Sequence, residues 1–172
     1  MSHIFIDPGF RALGVVIYDA VGNSIQDHGA LLSDPKDYAT AKAALGASKA
    51  DAEFMEQVAK FLTKFNKKHK PEKVFLELPH GGQSFRAVKM LSQVSGTVIG
   101  WATAYGKPMV YYTPERNKKT ATGDIHASKE LMELAVRRRW PSPLWAQLPD
   151  SERNHIVDAA ALILAAQAAG DI

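Results

Sequence analysis

The chain has 172 residues, 46% of them hydrophobic, with formal net charge +3 and no cysteine. That length and composition suit one soluble domain spanning 1–172, with no room for two ordinary ones. The absence of cysteine excludes a disulfide framework and a thiolate metal site, and no run approaches a membrane span or a signal peptide.

In chain order, residues 4–7, 14–19 and 24–32 read as a three-stranded antiparallel meander. They are joined by Pro8-Gly9-Phe10-Arg11 and by a turn at Val21-Gly22-Asn23. Residues 33–49 form a polar, Ala-rich connection with no assignable structure. Phe54, Val58, Phe61, Leu62 and Phe65 recur at helical spacing, and Pro71 closes that helix. Residues 73–78 are a short apolar run, as in a strand covered on both faces. Ser84 is positioned to cap a helix that reaches about Tyr105, where Gly106 stops it. Residues 109–112 read as a last strand, and Thr113-Pro114-Glu115 as a helix start leading into a basic stretch. A helix over about 127–139, the breaker Trp140-Pro141-Ser142-Pro143 and a closing helix from Asp150 or Ser151 to about Ala169 complete the order βββαβαβαα. Such an order predicts an α/β fold with helices on both faces of the sheet.

Three carboxylates stand out because each interrupts apolar sequence. Asp7 ends Ile4-Phe5-Ile6, Glu77 lies between Leu76 and Leu78, and Asp158 opens the segment Ala159 to Ala166. A buried lone carboxylate costs several kcal/mol, so such groups are normally neutralised, paired or metal-bound. Taken singly, each has a plain alternative: turn chemistry for Asp7, a basic partner for Glu77, a helix-dipole position for Asp158. Together they fit one oxygen-ligand site for a hard divalent cation, and hence phosphoryl chemistry. If the first and fourth strands are neighbours, Asp7 and Glu77 share the sheet edge where open α/β folds bind ligands. His155 lies three residues before Asp158 on one helical face, as a second ligand or a general acid/base. Charge is segregated as well. Residues 60–73 carry six Lys against Glu72, and residues 107–140 eight Lys or Arg against four acids. The remainder is acidic, so basic flanks surround an acidic pocket, an arrangement that suits a polyanion held over metal ions.

These residues carry a family resemblance. Phe5-Ile6-Asp7-Pro8-Gly9 with Gly14, Phe75-Leu76-Glu77, and His155-Ile156-Val157-Asp158-Ala159-Ala160 resemble, in order, the active-site motifs of RuvC-type Holliday-junction resolvases, of the RNase H-like nuclease superfamily. Asn117-Lys118-Lys119-Thr120-Ala121-Thr122-Gly123 with Ala127-Ser128-Lys129 resembles the family's basic segment, and residues 84–100 its helix after the glutamate strand, including Gln93-x-x-Gly96. The resemblance implies an RNase H-like mixed sheet with three N-terminal antiparallel strands and helices on both faces. It implies a crossover junction endodeoxyribonuclease that makes paired symmetric nicks with 5′-phosphate and 3′-hydroxyl ends. It implies two Mg²⁺ per site, replaceable by Mn²⁺, held by Asp7, Glu77, Asp158 and His155, with Lys118 and Lys129 at the scissile phosphate. The partners it implies are branched DNA, chiefly four-way junctions, and a second protomer, in the cytoplasm of a bacterial or phage-infected cell, with neither membrane nor nucleotide cofactor. The apolar stripe Val88, Leu91, Val94, Val98 and Trp101 is the expected dimer face, unless it packs on the sheet. The family's aromatic wedge falls at His80 or Phe85, and residues 140–149 have no counterpart. The loop His80-Gly81-Gly82-Gln83-Ser84 resembles phage-encoded members, for which broader cutting of flaps, three-way junctions and forks is the alternative.

Overall fold

A computed structural model describes residues 1–78, 84–141 and 147–172. The strands are β1 (Ser2–Gly9), β2 (Ala12–Asp19), β3 (Ser24–Leu32), β4 (Lys73–Glu77) and β5 (Met109–Tyr112). They form one sheet in the order β3-β2-β1-β4-β5, with the first three antiparallel and β1, β4 and β5 parallel. The expected mixed sheet with an antiparallel N-terminal meander is what the chain forms.

The period-2 alternation of the central strands splits the core in two. Ile4, Ile6, Val74 and Leu76 face α2 (Ala47–His69) and α3 (Phe85–Ala104), meeting Phe54, Val58, Val94 and Val98. Phe5 and Phe75 face the other way, stacked on each other at 4.5 Å, a pairing worth about 1 kcal/mol beyond its buried area. That second face is closed by α4 (Pro114–Thr122), α5 (Lys129–Arg139) and α6 (Asp150–Ala169), with Ile156, Ala159, Ala160 and Ile163 of α6 fully buried. The small side chains of α6 let it lie close against β1 and β2. Among the described residues no helix is long and apolar enough to cross a membrane.

One helix escapes the sequence reading, whereas the helix start at Thr113-Pro114-Glu115 is borne out, with Thr113 as the cap of α4. Residues 33–49 contain α1 (Pro35–Leu45), capped by Asp34, whose carboxylate accepts from Lys36 N at 2.6 Å. It buries only Tyr38, so it has no apolar stripe to betray it. Gly46, at φ 84°, separates it from α2, which starts earlier than its phenylalanine spacing suggests. The basic stretch after Thr113 is itself helical, as α4, and α5 starts at Lys129 on a Ser128 cap rather than at Ala127. The stripe on α3 needs a correction as well. Val94, Val98 and Trp101 are buried against the sheet side, so they do not form a dimer face. The face α3 leaves open carries Phe85, Val88, Ser92, Gly96 and Gly100. Phe85 is 86% exposed; His80 and residues 142–146 lie outside the described residues.

Candidate active site

Parallel pairing of β1 with β4 places Ile6 opposite Leu76, so the next residues, Asp7 and Glu77, emerge side by side at the strand ends. Alternation turns both toward the Phe5/Phe75 face, the one that α6 covers. His155 and Asp158, one helical turn apart on α6, come down onto the same edge. All four line one open cleft of about 910 Å³, completed by Pro8, Leu78 and the α3 residues Val88 and Ser92. His155 Nδ1 is 3.1 Å from Asp7 Oδ2. Two glycines make this approach possible. A Cβ on Gly14, the β2 residue paired with Asp7, would stand 2.0 Å from the carbonyl oxygen of His155, and one on Gly9 would stand 2.5 Å from its ring.

The carboxylates repel one another. Burial first, then the charge of Asp7, pushes Glu77 up to about 8 and Asp158 up to about 7. The Lys118 charge opposes both shifts, and that of Lys129 opposes the one on Asp158, which places both lysines within electrostatic reach. Lys129 lines a groove of about 800 Å³ that also contacts His155. Among the described residues Glu77 has no basic partner in an ion pair; its hydrogen bond comes from the Asn117 side-chain amide. Asn117 is 1% exposed, and its Oδ1 has no partner among the described residues. Asn117 opens the basic segment of the resemblance, but nothing in the sequence marks its contact with Glu77, which reaches back 40 positions.

The donor set is three carboxylates and one imidazole without sulfur; the carboxylate oxygens suit a hard divalent cation, and the imidazole is the softer donor among them. Carboxyl groups that burial and the charge of Asp7 keep protonated to unusually high pH, beside an amide oxygen without a partner among the described residues, fit a cation there. Among the described residues no three His, Asp or Glu side chains are already closed to ligand geometry. A pH dependence follows. The folded chain holds protons on Glu77 and Asp158 that the unfolded chain releases near its ordinary carboxylate pKa of about 4. Metal-free stability should therefore fall as pH rises from about 5 through about 8, then level off. Urea unfolding in EDTA across that range checks this, and a stability that rises with pH would show that these carboxylates are not in mutual repulsion.

The family model for crossover junction endodeoxyribonuclease RuvC matches residues 4–165. A crossover junction endodeoxyribonuclease of Saccharopolyspora erythraea is 26% identical over 187 aligned residues, covering 90% of this chain and 88% of its own. One from a Synechococcus is 26% identical over 140, covering 80% and 82%. Thermus thermophilus RuvC in complex with a Holliday junction superposes with a TM-score of 0.73 at 22% identity, over 97% of this chain and 93% of that one. The yeast mitochondrial Holliday junction resolvase superposes at 0.62 and 10% identity, over 96% and 78%. These two likenesses show a shared fold.

Proposed function

The chain belongs to the RuvC family of crossover junction endodeoxyribonucleases, and from that premise we propose that it resolves Holliday junctions by a metal-dependent pair of symmetric nicks. One observation carries the reading: Asp7, Glu77, Asp158 and His155 converge on a single open cleft, at a cost in repulsion that a divalent cation would relieve.

In this reading Asp7, Glu77, Asp158 and His155 hold two Mg²⁺, with Mn²⁺ as a substitute. Ions held there would supply Lewis acidity toward the phosphodiester and an attacking water, and the expected products carry a 5′-phosphate and a 3′-hydroxyl. The protein's own groups do the rest. Rigid strand ends and a packed helix fix the carboxylates, which is what in-line geometry demands. Asn117 holds one Glu77 oxygen and so orients the other. His155, with Nδ1 against Asp7, can hold or pass a proton at the cleft wall. Lys118 and Lys129 offset the phosphate charge.

Replacing Lys118 or Lys129 with Ala should slow cleavage by about 10²-fold at saturating protein, the scale of losing one charge-stabilising donor. Arg138, exposed in the basic last turn of α5, should act on binding alone: Arg138→Ala should weaken it and flatten its salt dependence by about one counterion. Single-turnover rates and salt titrations separate the two. Lysine variants that lose affinity at an unchanged saturated rate would belong to the DNA-binding surface only.

Paired nicks need two sites, so the working unit is a two-fold homodimer of this single nuclease domain, acting in the bacterial cytoplasm. The open face of α3, where a Cβ added at Gly96 or Gly100 would meet nothing within 4 Å, supports close approach of a second copy. Four-way junctions labelled on each strand in turn test the reading. Equal cuts on two opposed strands, with ends that a ligase reseals, are expected. A monomer by light scattering that still cuts both strands would overturn the dimer.

A further inference from the structure

Phe10 is 44% exposed, and it sits where the carboxylate cleft meets the Lys129 groove, lining both. It is one of the two residues that link Gly9 of β1 to Ala12 of β2. The other, Arg11, has φ 55°, a left-handed conformation that costs a non-glycine residue about 1 kcal/mol and persists only where the surroundings enforce it.

Those surroundings are unusually built. The Arg11 guanidinium lies 3.0 Å above the Tyr38 ring and 3.6 Å from the carboxylate of Asp51. Asp51 is buried; it accepts a hydrogen bond from the Tyr38 hydroxyl at 3.0 Å and pairs with Lys89 of α3 at 3.7 Å. The Arg11 carbonyl accepts from Ser33 N at 3.0 Å. Side chains of α1 and α2 and the backbone just after β3 thus meet at one turn residue, with Lys89 of α3 bracing Asp51 from behind, and α1, which otherwise buries almost nothing, contributes Tyr38. The outcome of this anchoring is an aromatic ring held toward solvent on the divide between an acidic cleft and a groove bearing Lys129. Arg11 approaches the ring at 5.2 Å and leaves much of it open.

We infer that Phe10 is a stacking platform for an unpaired nucleobase next to the phosphate in the carboxylate cleft, and that the Arg11–Tyr38–Asp51 cluster is its mount. The inference rests on the functional reading above. Phe10 and His155 both line the groove and the cleft, so a backbone passing from Lys129 to Asp7 and Glu77 runs beside Phe10, and a base freed from pairing there meets an aromatic face. Such stacking tolerates any base, since every base has a π-face. Anchoring of the adjacent Arg11 limits the backbone freedom that Phe10 would lose on binding. The platform favours substrates whose bases are unpaired at the cut, which is the case at a branch point and not in linear duplex.

The experiment uses the full chain in an Asp158→Asn background with Mg²⁺, so that junctions bind without being cut. Four-way junctions carry 2-aminopurine at each position flanking the exchange point in turn. Phe10 intact should quench the probe at one position. Phe10→Leu, apolar but without a π-face, should abolish that quench and weaken junction binding about 5- to 100-fold, the range of one base–aromatic stack. Phe10→Trp should restore both. Equal quench and affinity in Phe10→Leu, with junction binding intact, overturn the platform alone. A background protein that binds no branched DNA overturns the functional reading and the platform with it.

Discussion

Asp7→Asn, Glu77→Gln and Asp158→Asn should each reduce cleavage by more than about 100-fold, beyond the 10- to 100-fold that losing only an outer-shell partner costs a metal site. Junction binding should survive, because affinity comes from the basic surface and not from the acids. Each substitution should also leave the metal-free protein at pH 8 as stable as the parent or more so. The reason is the repulsion that pushes Glu77 to about 8 and Asp158 to about 7, with Asp7 as the second cause after burial in both. Removing one charge relieves it. Mg²⁺ or Mn²⁺ should raise the melting temperature of the parent and do so less for each variant, a readout independent of cutting. A variant that still cuts within a few-fold of the parent removes that residue from the site.

Among the described glycines, Gly14→Ala should be the most damaging substitution. The added Cβ would stand 2.0 Å from the His155 carbonyl oxygen and 2.4 Å from its carbon, both backbone atoms of α6 that cannot rotate aside. Overpacking of this kind costs about 3 kcal/mol or more, and a helix displaced by about 1 Å carries Asp158 and His155 out of register with Asp7. Cleavage should drop at least about 10²-fold even in the fraction that folds. Gly9→Ala should do less harm, since its 2.5 Å neighbour is the His155 ring, which can swing. Chemical denaturation with single-turnover cleavage ranks the two; a fully stable, active Gly14→Ala protein would show that α6 does not seat on β2 as described.

The strands and the four acidic-cleft residues are legible in the sequence because both leave local marks. A continuous apolar run such as Val74-Phe75-Leu76 announces a covered strand, and a carboxylate set inside it announces a constraint. Gly14 also carries a signal, though its reason, the contact with α6, appears only in three dimensions. What stays hidden depends on long-range contacts or on absent stripes. Asn117 meets Glu77 across 40 residues, and Arg11 meets Asp51 across as many. Helix α1 buries only Tyr38 and has no periodicity to read. The stripe on α3 misleads because an apolar face looks the same whether it packs on its own sheet or on a partner.

The most direct measurement compares cleavage of four-way, three-way, flap and linear DNA by the same protein in Mg²⁺, with EDTA and Asp158→Asn as controls. The expected result is paired, symmetric nicking of the four-way junction well above the other substrates, lost in both controls. Equal cutting of all branched forms would assign a broader structure-selective nuclease to the same site. Binding without cleavage of any of them, in Mg²⁺ and in Mn²⁺, would contradict a metal-dependent resolvase outright.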